Sequence, residues 1–226
     1  MSRSPRWCGA QRRIGLTGGI ATGKSTVARL LEAEGLPVLD ADHYAREVLA
    51  PGSPGAAAVL QRYGDTVRAD GTGPEWPTID RGALGSIVFS DPSEKRWLEE
   101  LVHPLVRQRF DQALAELVAE PTVVLMIPLL FEAGLEELCS EIWLVDCDEA
   151  QQLERLMQRD GLSAVEAKAR INAQWPPGAK RVQSDVILDN QKNRDPMVQL
   201  ANQARKALAR KSQPNKKQTF IDPKFS

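Results

Sequence analysis

One stretch carries the clearest chemistry: Gly18-Gly19-Ile20-Ala21-Thr22-Gly23-Lys24-Ser25-Thr26. Gly18, Gly23, Lys24 and Ser25 fill the fixed places of the phosphate-loop pattern G-x-x-x-x-G-K-[ST]. Glycines let the backbone curl until successive N–H groups converge on phosphate oxygens. Lys24 would reach the β- and γ-phosphates of a nucleotide, and the Ser25 hydroxyl would sit on Mg²⁺. Asp40-Ala41-Asp42 offers a second set of reactive groups. Two acids at i and i+2 can hold Mg²⁺ through water or accept a proton from a hydroxyl. The competing role for Asp42 is to cap the helix that starts at His43. His103 stands alone in its region, and a lone histidine more often packs or caps than binds substrate.

These residues need elements to hold them. Ile14-Gly15-Leu16-Thr17 predicts a short buried strand before the loop, and Thr26 to Glu34 a helix after it, stopped by Gly35. Pro37-Val38-Leu39 predicts a second strand delivering Asp40 and Asp42 at its carboxyl end, where α/β sheets gather functional side chains. Helices are expected from Ala56 to Tyr63 and from Asp80 to Phe89, with a turn at Asp70–Pro74. Asp91-Pro92-Ser93-Glu94 is a strong helix start. Apolar residues then recur at helical spacing to Phe110, with Pro104 expected to kink or divide the helix at His103. The stretch from about 43 to 118 reads as a helical insertion between strands.

Thr122 to Phe131 is the most apolar run and suits a central parallel strand ending at Pro128. No aspartate closes it, so a metal-holding acid falls to Asp40 or Asp42. Ile142 to Asp146 predicts a fourth strand and Asp185 to Asn190 a fifth. Asp148 to Arg159 predicts a helix with Leu153, Leu156 and Met157 inward and Arg155 and Arg159 on its outer face. Ser163-Ala164-Val165-Glu166 is a capping box for the next helix, which ends near Gln174. These two polar helices read as a lid that excludes water and brings cations to a transferring phosphate. Met197 to Leu208 closes the fold. Residues 1–12 read as a flexible extension, and the basic run that opens at Arg205 as a solvated tail beyond residue 208.

Composition sets bounds. Hydrophobic residues at 42% and charged residues at 26% are ordinary for a globular chain, and a net charge of -1 gives no case for nucleic acid or membrane partners. Cys8, Cys139 and Cys147 form no C-x-x-C pair, and two histidines make no zinc pattern. The run Val123–Phe131 is too short to cross a bilayer, and Met1 to Arg13 lacks the apolar core of a signal peptide. An ATP-dependent cytoplasmic enzyme, monomeric or weakly self-associating, is the reading these features favour.

The ordered motifs resemble the dephospho-coenzyme A kinase family over about residues 13 to 205. They are Leu16 to Ile20 running into Gly23 to Thr26, Asp40-Ala41-Asp42, Leu98-Glu99 with His103-Pro104, and Pro128-Leu129-Leu130-Phe131-Glu132. Met157-Gln158-Arg159-Asp160 and Asp185-Val186-Ile187 ending in Asn190 complete the set. The resemblance implies an α/β P-loop kinase fold: a five-stranded parallel sheet flanked by helices. It divides residues 13–208 into a core (13–42, 119–148 and 181–208), a substrate-binding helical insertion (43–118) and a lid (149–180). It implies transfer of the ATP γ-phosphoryl group to the ribose 3′-hydroxyl of dephospho-coenzyme A, with Mg²⁺. Gly19, Ala21, Thr22, Gly23, Lys24, Ser25 and Thr26 would then cradle ATP, with Asn190 near the adenine. Asp42 would take the hydroxyl proton beside Asp40, which with Ser25 is a candidate for the metal. Arg159 would be the lid cation. His103, Pro128, Leu129 and Glu132 would border the acceptor. Two other readings stay open from the residues alone: a nucleoside or nucleotide kinase, and a non-catalytic nucleotide switch. The guanine-reading Asn-Lys-x-Asp of such switches is absent from the sequence.

Overall fold

Uninterrupted apolar runs build the centre of the fold. β1 (Arg12–Gly18), β3 (Thr122–Met126) and β4 (Glu141–Asp146) are buried along almost their whole length. With β2 (Val38–Asp40) and β5 (Val186–Asp189) they form one five-stranded sheet in the order β2-β3-β1-β4-β5. β1 runs parallel to β3 and to β4, and β4 parallel to β5. The chain leaves β1 for the edge strand β2 and only later fills the gap with β3. A crevice therefore opens at the carboxyl end of β1, where such sheets bind ligands.

The structure is a computed structural model, and it describes residues 5–69, 77–191 and 196–210. The chain divides into two units, Met1–Val38 with Glu120–Ser226, and Leu39–Ala119. In the first, α1 (Lys24–Ala33) and α9 (Pro196–Leu208) cover one face of the sheet. Ile14, Leu16, Val27, Leu31, Trp143 and Leu200 form that core, each fully buried. On the other face Gly15 is needed for space: a Cβ there would lie 2.6 Å from Cys139 Sγ and 2.8 Å from Leu130 Cδ1. α6 (Glu149–Asp160), α7 (Ala164–Asn172) and α8 (Pro177–Gln183) connect β4 to β5. The capping box of Ser163 and Glu166 forms at the start of α7. α6 and α7 share a small core of Leu156, Ala167 and Ile171.

The second unit is helical: α2 (Ala41–Glu47), α3 (Pro54–Tyr63), α4 (Arg81–Ser90) and α5 (Pro92–Glu116). Ala56, Val59, Val67, Ile79 and Leu84 make its core, with Trp97, Leu98 and Leu101 packed against it. Asp91 caps α5 by accepting from Ser93 N–H at 2.7 Å.

Three local expectations change. α5 runs unbroken through Pro104, so of the kink or division expected at His103 the division does not occur. Pro104 and its neighbour His103 are both exposed, so water can serve the carbonyl that the proline leaves without a donor. β3 ends at Met126, before Pro128, and the apolar residues Leu130 and Phe131 are buried in the following turn instead. Residues 6–11 are held against the first unit, where the sequence suggested a loose extension. Trp7 N–H donates to the Cys139 carbonyl at 3.0 Å, and Arg13 lies 3.5 Å over the Trp7 ring. Arg6 bonds the Gln183 carbonyl at 2.9 Å. The turn at Asp70–Pro74 and the basic run past Arg210 lie outside the described residues. Among those that are described, no helix is long and apolar enough to cross a membrane.

Candidate active site

The phosphate loop sits at the carboxyl end of β1 and runs into α1. Gly23 takes the place before the helix with φ 103°, and no side chain caps the helix start. A helix start that no side chain caps is one that can take phosphate on its first N–H groups. A side chain at Gly23 is also excluded by space, because its Cβ would lie 2.3 Å from Asn190 Nδ2. Ala21 has φ 59°, the one non-glycine residue with positive φ among the described residues. Strain of that kind persists where surrounding bonds enforce it.

Hydrogen bonds to the residues on either side of Ala21 supply that enforcement. Thr22 Oγ1 donates to the Gly19 carbonyl at 2.9 Å, and Asn190 Nδ2 donates to the Thr22 carbonyl at 2.7 Å. Gln152 Nε2 donates to the Ile20 carbonyl at 2.7 Å, while Ile20 N–H donates to Gln174 Oε1 at 2.8 Å. Lys24 folds back over the loop, its Nζ donating to the Gly18 and Gly19 carbonyls at 2.9 and 2.7 Å.

Above the loop lies an open cavity of about 500 Å³, a size suited to a small molecule. Loop residues Ala21 to Thr26 line one side. Arg155, Gln158 and Arg159 line the other. Their i, i+3, i+4 spacing puts all three on one face of α6. The face read from sequence as outward is therefore the one turned to the cavity. Arg159 lies across Asp160, donating at 2.7 and 3.1 Å, and Asp160 also accepts from Arg170 at 3.2 Å. The Arg159 hydrogen bond holds the Asp160 carboxyl below the ordinary aspartate value. Arg155 donates to the Asn190 carbonyl at 3.3 Å.

The other sequence candidates are placed as follows. Asp40 caps α2, with Oδ1 accepting from Asp42 N–H at 2.8 Å. The capping role considered for Asp42 thus belongs to Asp40, and Asp42 is left exposed in the first turn. Asp42 and His103 both belong to the Leu39–Ala119 unit, His103 exposed on α5. The Pro128 carbonyl accepts from Thr17 Oγ1 at 3.2 Å, and Leu129 is 40% exposed. Glu132 is engaged internally. Its Oε1 accepts from Trp175 N–H at 2.9 Å and lies 2.8 Å from Nζ of Lys180, which is only 1% exposed.

Sequence reasoning missed four residues here. Gln152 and Gln174 hold the loop, Asp146 at the end of β4 receives Arg181 Nε at 2.6 Å, and Lys180 pairs with Glu132. Only Asp146, a buried acid closing an apolar strand, carried a sequence signal. No cluster of three or more metal-ligating His, Cys, Asp or Glu side chains occurs among the described residues.

Residues 12–195 match the dephospho-CoA kinase family model. A dephospho-CoA kinase of Synechococcus sp. (strain CC9605) is 66% identical over 80% of this chain and 86% of its own length. A dephospho-CoA kinase of Synechococcus elongatus is 50% identical over 86% of this chain and 91% of its own. Among solved structures, a Thermus thermophilus protein superposes with a TM-score of 0.74 at 36% identity, covering 88% of this chain and 97% of that one. Dephospho-CoA kinase from Campylobacter jejuni superposes with a TM-score of 0.63 at 26% identity, covering 87% and 94%.

Proposed function

The chain belongs to the dephospho-CoA kinase family, and from that membership we propose how its own residues carry out the reaction. The enzyme uses ATP to phosphorylate dephospho-CoA, giving CoA and ADP. The bond made is to the ribose 3′-hydroxyl, and the bond broken is that between the γ-phosphorus and its bridging oxygen.

The observation that carries the reading is the uncapped start of α1 facing the Arg155–Arg159 side of α6 across one cavity. Backbone N–H groups and cations there converge on a position suited to a triphosphate. Lys24 now donates to two neutral carbonyls. Phosphate oxygens would replace them with charged acceptors, and charge-assisted bonds are roughly twice as strong. Arg159 supplies a planar cation for charge on the equatorial oxygens, where most of the catalysis in this class arises. Asp42 takes the proton of the attacking hydroxyl, while Asp40 is engaged in the cap. Asn190 secures the loop at Thr22 beside the nucleotide. His103, Pro128 and Leu129 border the acceptor.

Mg²⁺ suits the donors present, because it takes one or two protein oxygens and completes its shell with phosphate and water. Ser25, exposed at the start of α1, offers a hydroxyl, and Asp40 a carboxylate whose cap engages Oδ1. Held there, Mg²⁺ would supply positive charge to offset that of the nucleotide's phosphate oxygens. Residues 43–118 serve as the acceptor-binding insertion and residues 149–180 as the lid.

Phosphorus NMR of the product tests the regiochemistry. A new monoester on the ribose 3′-oxygen is expected. A new phosphoanhydride, or turnover only with nucleoside monophosphates, would replace this reading with that of a nucleotide kinase.

A further inference from the structure

Ile20 stands on the outer turn of the phosphate loop, and both of its backbone polar groups are taken by glutamine side chains. Gln152 donates to its carbonyl and Gln174 accepts from its N–H. Because a carbonyl only accepts and an N–H only donates, the partners fix which end of each amide is oxygen and which nitrogen. Gln152 lies in α6, where the chain enters the α6–α7 arm. Gln174 lies just past α7, where the chain leaves it.

Both glutamines are built in. Gln152 is 3% exposed, and a Cβ on Gly19 would lie 2.6 Å from its Nε2. Long polar side chains are mostly exposed and lose rotamer freedom when buried, so a buried one needs its bond. Gln174 is fixed through its neighbour Trp175, whose N–H donates to Glu132 and whose ring lies nearly parallel to Phe131 with centroids 6.0 Å apart. The Ile20 side chain packs against the arm's core of Leu156, Ala167 and Ile171. One loop residue is thus joined to the arm by its carbonyl, its N–H and its side chain.

We propose that Gln152 and Gln174 form a clasp on Ile20 that keeps the phosphate loop in shape and in register with the arm carrying Arg155 and Arg159. They are positioning residues: they touch the loop, not the reacting atoms. The kinetic part of this inference rests on the kinase reading, but the binding part does not.

The same isosteric change separates the two sites. Gln174→Glu keeps an acceptor for the Ile20 N–H. Gln152→Glu sets a carboxylate oxygen against the Ile20 carbonyl, two acceptors with no proton between them. Calorimetric Mg-ADP binding should therefore weaken about tenfold in Gln152→Glu and stay within about threefold in Gln174→Glu. Gln152→Met and Gln174→Leu, which only delete the bond, should each behave like Gln152→Glu and guard against a folding failure caused by the new charge. In turnover, Gln152→Met should lower kcat about tenfold in the parent but have little further effect in an Arg159→Ala background, because the clasp acts through Arg159. Equal ADP affinities for the two Glu variants, or full additivity with Arg159→Ala, would overturn the clasp. Absence of acceptor-dependent turnover in the parent would instead count against the kinase reading, leaving the ADP comparison to decide the clasp.

Discussion

Asp40 and Asp42 differ by two positions and have different surroundings. Asp40 Oδ1 holds the first turn of α2, while Asp42 stands exposed one residue into the helix. Asp42→Asn should lower kcat by a factor of roughly 10²–10⁴, the range of a general base, with ATP binding little changed. A kcat close to the parent's would move the proton to Asp40. Glu132 makes the opposite case. The family resemblance places it beside the acceptor, yet its carboxylate is engaged by Lys180 and Trp175. Removing it leaves a buried ammonium without its partner, which costs about 3–5 kcal/mol. Glu132→Ala should therefore lower Tm by roughly 10 °C, as thermal unfolding reads it. An unchanged Tm with a raised KM for dephospho-CoA would show that its main contact is the acceptor.

The residue scale also shows what a sequence can carry. Gly18, Gly23, Lys24 and Ser25 were legible because each position has a steric or chemical demand that few residue types meet. The clasp was not legible. Gln152 and Gln174 bond a residue 132 and 154 positions away, and an uncharged polar residue in a helical stretch carries no sign of burial.

Among the elements, local rules succeed where local physics dominates. The Asp91 cap, the Ser163–Glu166 box and the buried strands follow from nearest neighbours alone. Pro104 in α5 is a different case, since its cost depends on whether solvent reaches the disturbed turn. The direction of the Arg155–Arg159 face likewise depends on what α6 packs against. The join between α3 and α5 gives a pH prediction. Glu94 of α5 accepts from Arg62 at 2.8 and 2.9 Å and from the Tyr63 hydroxyl at 2.5 Å. The Arg62 bonds foremost, then that of Tyr63, hold its carboxyl below the ordinary glutamate value. With the folded value below the unfolded one, this stabilisation is complete above about pH 4.3 and is lost as pH falls through the folded value. Asp91, lowered chiefly by its bonds to Ser93, adds in the same direction. Tm of the parent should fall on acidification through that window, and Glu94→Gln should flatten the fall. Equal acid slopes for the two proteins would show that the Arg62 fork contributes nothing.

For the whole molecule, the five-stranded parallel sheet and the family were legible from ordered motifs, because strand, loop and acid must follow one another to make a phosphate site. The sheet order was not, since which strand fills the gap beside β1 is decided by tertiary packing. Nor was the fastening of Arg6 and Trp7, whose partners Gln183 and Cys139 lie far along the chain. The central claim is a reaction, and one measurement reaches it most directly: ADP release from Mg-ATP with and without dephospho-CoA, with the acceptor product weighed. The account predicts ADP formation that depends on dephospho-CoA, a product heavier by one phosphate, and loss of most turnover in Lys24→Ala. ADP formation indifferent to dephospho-CoA, with no gain in its mass, would contradict it.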